Sequence, residues 1–118
     1  MTSLIVCLST GKGTWINVRN IIEKEEWDNI VVITNEFGKE KFVPPKNAEM
    51  VVINTSQTTQ ELKSKIKSSL NGRIKGIEVA LNITSGTGKE HMAIISAILD
   101  LGFAIRFVDV VDDSVVLI

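Results

Sequence analysis

The chain has 118 residues, 44% of them apolar, and a formal net charge of −1 at pH 7. That length fits a single domain over 1–118 with enough apolar material for a core. The charge balance lacks the basic excess of a general DNA or RNA binder. A single cysteine excludes a disulfide framework within the chain, and no apolar run approaches the about 20 residues that cross a bilayer.

Only Met1-Thr2-Ser3 precede the first apolar run, so no signal peptide is expected and the chain reads as soluble and cytoplasmic. Ser3–Leu8 is continuously apolar, the pattern of a strand covered on both faces. Cys7 lies inside it and reads as a small buried hydrophobe in a reducing compartment, because no paired His can be argued for it. Ser9-Thr10-Gly11-Lys12-Gly13 is a loop, and Thr14 stands as N-cap to a helix through about Lys24, with Trp15, Val18 and Ile22 on one face.

Ile30–Thr34 is a second strand. Asn35–Asn47 is polar and charged, holds Pro44-Pro45, and reads as a loop or a broken turn of helix. Glu49–Asn54 is a third strand, and Thr55–Thr59 is rich in capping residues. The helix that follows, to about Leu70, places Leu62, Ile66 and Leu70 on one stripe and Lys63, Lys65 and Lys67 outside it. Asn71-Gly72 ends it.

Ile77–Ile83 is a fourth strand, followed by a second Gly-rich loop, Thr84-Ser85-Gly86-Thr87-Gly88. A helix over about 89–101 comes next, ended by Gly102. Ala104–Val110 is a fifth strand. Asp112-Asp113 turns the chain, and Ser114–Ile118 returns antiparallel as a sixth. Asp109, Asp112 and Asp113 read as residues of that hairpin rather than a cation site. Strands alternating with helices predict an α/β, Rossmann-like open sheet. It should be mostly parallel, in the order 3-2-1-4-5-6, with helices on both faces and a C-terminal antiparallel hairpin.

The helix over 89–101 is apolar around most of its circumference, with Ser96 and Asp100 as its narrow polar stripe. One sheet face needs only about 100° of apolar arc. The surplus predicts burial against a second copy of the helix in a two-fold dimer, or against neighbouring helices of the same chain.

Ligands of such sheets sit beyond the carboxyl ends of the strands where the strand order reverses, here between strands one and four. Those strands lead into the two Gly-rich loops, residues 9–14 and 84–91. Both loops supply backbone N–H groups, hydroxyls and a lysine, Lys12 or Lys89, and both open a helix, so an anionic, phosphate-bearing ligand is expected. The candidate binding residues are Gly11, Lys12, Gly13, Thr84, Ser85, Gly86, Thr87, Gly88 and His91. The alternative is an ordinary pair of βα turns. Familiar nucleotide motifs fail. Gly86-Thr87-Gly88-Lys89 would need a glycine at Ile83 and a Ser or Thr at Glu90 to be a P-loop, and Gly11-x-Gly13 meets Ile16 where a dinucleotide fingerprint needs its third glycine. His91, the only histidine, could serve as acid or base or be structural. One His and one Cys assemble no metal cluster, and no cofactor is implied.

The segment Leu81-Asn82-Ile83-Thr84-Ser85-Gly86-Thr87-Gly88-Lys89-Glu90-His91-Met92 resembles the signature of the CRISPR-associated Rossmann-fold (CARF) family. In that family an apolar strand ends in Asn or Asp and leads into a Thr-Gly-Gly-Thr-Lys type loop, with Met or Ser in the next helix. Here Ser85 stands for the first glycine and Gly88 is inserted before Lys89. Ser9-Thr10-Gly11 and the terminal hairpin also fit. The resemblance implies a homodimer, in antiviral defence, that binds a cyclic oligoadenylate across its two-fold axis with both loops facing the ligand. It implies a stand-alone binder, a piece of a larger protein, or a ring nuclease that cleaves the ring without metal to a 2′,3′-cyclic phosphate. By that resemblance Lys89 would stabilise charge on phosphate, Ser9 or Thr10 would position the ribose, and Lys12 would hold a phosphate. Two readings from other classes stand beside it: a regulatory or assembly module that binds a partner protein, and a binder of or enzyme for another small nucleotide.

Overall fold

A computed structural model of the chain describes residues 2–9 and 12–118, and of Lys12 only the backbone. The elements in chain order are β1 (Ser3–Leu8), α1 (Trp15–Lys24), β2 (Ile30–Thr34), α2 (Glu36–Lys41) and β3 (Glu49–Val52). They continue as α3 (Thr59–Leu70), β4 (Glu78–Asn82), α4 (Gly88–Asp100), β5 (Ala104–Val111) and β6 (Ser114–Leu117). The six strands form one sheet in the order β3-β2-β1-β4-β5-β6, parallel throughout except for the antiparallel β5–β6 pair. The expected fold class and strand order are therefore present.

β1 is central and every one of its residues is buried, which is why its sequence is apolar without alternation. Its odd and even side chains serve two separate cores. Ile5 and Cys7 face α3 and α4, where Leu62, Ile66 and Leu70 meet Ala93, Ile94, Ala97 and Ile98. Leu4, Val6 and Leu8 face the other way, onto Val18, Ile21 and Ile22 of α1 and onto Phe42. Among the described residues no helix is long and apolar enough to cross a membrane.

Two local details refine the sequence reading. A 3-10 turn at Lys12–Thr14 runs directly into α1, so Thr14 at the N-cap already has helical backbone angles and makes no side-chain capping bond. Asn35–Asn47 holds a helix of six residues, α2, whose N-cap Asn35 accepts from Gly38 N at 2.8 Å. Gly38 lets that turn lie against the sheet. A Cβ there would run into Thr34 Oγ1 and come within 3.0 Å of Leu8 Cδ2.

The surplus apolar surface of α4 is only partly covered. α3 packs beside it, and Asp100 on its polar stripe takes Lys63 at 2.7 Å and Lys67 at 3.7 Å. These ion pairs hold the carboxyl of Asp100 below its usual range, the hydrogen bond from Lys63 first. Met92 and Leu99 remain 61% and 57% exposed. They are seven residues apart and so share a stripe. By strand alternation from Ile105, which packs on the α4 core, Phe107 faces the same side of the sheet and is also exposed.

Candidate functional site

The register brings the two Gly-rich loops together. Val6 pairs with Asn82, so β1 runs on past the end of β4 before Ser9 leaves the sheet. Asn82 is buried. It donates through Nδ2 to Val108 O at 2.8 Å and accepts from Thr84 N at 3.2 Å. It thus anchors the exit of β4 to β5 and starts the turn of the second loop.

Behind the loops lies a buried polar layer. Ser9 is 2% exposed. Its amide donates to Ser85 Oγ at 3.0 Å, and its hydroxyl donates to Glu90 Oε1 at 2.7 Å. Glu90, also 2% exposed, accepts Thr87 N at 2.8 Å on the same oxygen, and Thr87 Oγ1 accepts Glu90 N at 3.3 Å. The last two bonds form a capping box at the start of α4. A single carboxylate therefore closes the helix terminus and ties it to the end of β1. The positive end of the helix dipole and these donors offset the cost of burying it.

Gly86 closes this layer with φ +108. A Cβ there would lie 2.7 Å from Cys7 Sγ, 2.8 Å from Glu90 Oε1 and 3.0 Å from His91 Nε2. His91 Nε2 is 2.8 Å from Ser85 O. A carbonyl only accepts, so Nε2 carries the proton, and any acid–base role falls to Nδ1.

Cys7 sits beneath the same loop. Burial first, then the charge of Glu90, push its thiol up from 9.0 to about 12, with the Ser9 hydrogen bond pulling weakly the other way. Two results follow. The native thiol is expected to resist a disulfide reagent at pH 8 and to react fully in urea, since only the thiolate attacks. Because the unfolded thiol ionises near 9 and the folded one near 12, the stability gained from keeping it neutral is complete below pH 9 and is lost between pH 9 and 12. Alkaline urea titrations read this directly.

The outer layer is what a ligand would meet. Thr84, Thr87, Gly88 and Gly13 are exposed, and Gly86, Lys89 and His91 are half-buried. A Cβ at Gly13 or Gly88 would meet nothing within 4 Å. Thr84 Oγ1 is 2.9 Å from Asn82 Oδ1 and 3.1 Å from Asn17 Oδ1, and Asn17 Nδ2 reaches Asp109 Oδ1 at 3.1 Å, so α1 is tied to the same crevice. Asp109 is thus engaged away from the hairpin turn, where Asp112 and Asp113 adopt positive φ. Lys89 reaches sideways: its Nζ donates to Thr55 O at 3.1 Å, beyond the end of β3. Thr10, Gly11 and the side chain of Lys12 lie outside the described residues.

Two cavities flank the loops. One, of about 470 Å³, lies beyond the ends of β2 and β3 and is lined by Asn35, Glu36, Phe37, Asn54 and Thr55. The other, of about 240 Å³, lies at the end of β4 against the middle of β5, beside Asn82, Thr84, Phe107 and Ile118. A hollow of about 520 Å³ beside Thr2, Trp27, Glu78 and Leu117 lies at the amino ends of the strands. It is larger but remote from the loops, and the topology of the sheet favours the carboxyl end as the site.

Sequence reading missed Glu90, although Thr87-x-x-Glu90 before an apolar run is the pattern of a capping box. It also missed the cavity beside Phe37. Trp15 contacts Phe37 and Phe42 with ring centroids 5.7 and 5.8 Å away, and its Nε1 is buried without a partner among the described residues. No protein-family model matches the chain, and no curated protein matches it.

Proposed function

We propose that the chain binds a cyclic oligoadenylate second messenger in the crevice between the two loops, as a homodimer joined through α4. The observation that carries this reading is the paired-loop architecture at the point where the strand order reverses. Two hydroxyl- and glycine-rich loops are locked together from behind by Ser9, Ser85 and Glu90, and they present Gly13, Thr84, Thr87 and Gly88 outward. The resemblance of residues 81–92 to the CARF signature selects the ligand class. Exposed Met92 and Leu99 supply apolar surface for a second copy.

Metal-free ring cleavage is the accompanying enzymatic proposal. The 2′-oxygen of one ribose attacks the adjacent phosphorus, the 5′-oxygen leaves, and a 2′,3′-cyclic phosphate and a 5′-hydroxyl result. The proton lost from the 2′-hydroxyl is made up at the leaving 5′-oxygen. Catalysis then rests on in-line positioning and on stabilising charge at phosphate. Lys89 is the cation for that role once its ammonium exchanges the Thr55 carbonyl for phosphate. Ser9, buried with its hydroxyl donating to Glu90, shapes the first loop from behind, and direct positioning of the ribose is assigned to Thr10.

Calorimetric titration with cyclic tetra- and hexa-adenylate tests the reading. One ring per two chains is expected, with Lys89→Ala weakening binding about 10–100-fold, the value of one charge-assisted phosphate contact. No heat with either ring at high protein concentration rejects it. The exposed α4 stripe also suits an assembly module that binds a partner protein. A chain that stays monomeric and binds neither ring favours that alternative.

A further inference from the structure

We propose that the outer edge of β6, with the hollow beside it, docks an extended basic segment of a partner protein as an added strand. This surface stands apart from the two loops and does not depend on what they bind. β6 is the last strand of the sheet, and among the described residues no strand pairs with its outer edge. Sheet edges are commonly blunted by charged side chains or proline. Residues 114–118 read Ser-Val-Val-Leu-Ile and carry neither.

The register decides what that edge presents. Ile118 N donates to Phe107 O at 2.9 Å, so these two form a hydrogen-bonded pair. Such pairs alternate along an antiparallel ladder. Asp109–Val116 is the next one, and Val115 and Leu117, opposite Val110 and Val108, turn their N–H and C=O groups outward. Their side chains lie on the α1 face of the sheet, where Val115 packs on the core around Val18 and Ile22. Both line the hollow of about 520 Å³, together with Trp27, Ala80 and Val108. It is the space left where α1 ends at Lys24 and the chain turns back at Trp27, whose Nε1 donates to Ile21 O at 3.0 Å. Residues opposite one another in a ladder share a face. An incoming residue that bonds Val115 or Leu117 therefore lays its own side chain at the hollow, so one surface supplies both the backbone bonds and the side-chain pocket of strand addition.

Charge selects the occupant. Glu25, Glu26 and Glu78 line one end of the hollow, and Asp112 and Asp113 turn the hairpin at the other end of β6. Arg106 is tied to Glu78 at 3.1 Å and Lys24 to Asp113 at 3.6 Å, which leaves Glu25, Glu26 and Asp112 without a cation among the described residues. A second copy is a poor occupant. Antiparallel pairing of two β6 edges would set the Glu25–Glu26 end of one against the Asp112–Asp113 end of the other. An extended segment with alternate apolar residues, and Lys or Arg at its ends, complements both ends.

Amide hydrogen exchange of the full chain, read by NMR, is the test. The probe is the capped peptide Arg-Lys-Val-Thr-Val-Thr-Val-Lys-Arg at millimolar concentration, with its counterpart bearing Glu for every Arg and Lys run in parallel. The basic peptide should slow exchange of the Val115 and Leu117 amides about tenfold or more at saturation and shift the Trp27 indole. The acidic peptide should do neither. Glu25→Lys combined with Glu26→Lys should weaken the basic peptide about tenfold. Leu117→Pro removes an outward donor without removing a bond to β5, so it should abolish binding while the Val116 amide stays protected. No protection by the basic peptide, equal protection by both, or binding unchanged in either variant would overturn the proposal. Protection of the two amides that grows with protein concentration in the absence of peptide would make a second copy the occupant and would overturn it as well.

Discussion

Gly86→Ala is expected to destabilise the protein by about 3 kcal/mol, from about 1–2 kcal/mol of backbone cost at positive φ and a similar amount from overpacking. The backbone at Gly86 has φ +108, and the added methyl would sit 2.7 Å from Cys7 Sγ and 2.8 Å from Glu90 Oε1. Neither neighbour can yield easily. Cys7 is on the fully buried central strand, and Glu90 is held by Ser9 and Thr87. Gly88→Ala is the internal control. It lies two residues away, no atom comes within 4 Å of the new methyl, and it is the first residue of α4. That change should be neutral or slightly stabilising through helix propensity. Urea midpoints of the two variants make the comparison. Equal midpoints would mean that the second loop is not packed onto β1 as described.

Glu90→Ala is expected to cost about 3 kcal/mol as well, because it strands two buried donors, the Ser9 hydroxyl and the Thr87 amide, and removes half of a capping box. Glu90→Gln keeps an acceptor oxygen for both donors and should cost about 1 kcal/mol. The pair separates hydrogen bonding from charge. Hydrogen exchange at residues 84–88 should rise sharply in the alanine variant and little in the glutamine variant. The glutamine variant should also lower the Cys7 thiol from about 12, since the charge of Glu90 is the second cause of its elevation, while burial, the first cause, keeps it well above 9.0. An alanine variant as stable as the native chain would mean that water satisfies the two donors and that the carboxylate is not the clamp between the loops.

Strand and helix order was legible because it is written in local periodicity. β1 is apolar without alternation because both faces are covered, and α3 shows its stripe of Leu62, Ile66 and Leu70 because only one face is. Alternation of the two element types then restricts the topology, so the sheet order and the meeting of the two loops at its switch point followed from the sequence. α2 was legible only as a broken turn, since six residues with a central glycine are too few for a helical period to show.

What tertiary structure alone decided is where each polar side chain turns. Ser9 and Glu90 are 81 positions apart, and nothing local to either announces that one donates to the other. Lys89 and Thr55 meet across 34 positions, so a lysine expected between the loops lies over the end of β3 instead. The cavity beside Phe37 is assembled from the ends of two strands and the start of a short helix. Periodicity assigns a residue to a face of its own element. The partner across that face is set by sheet register and helix packing, which depend on the whole chain at once.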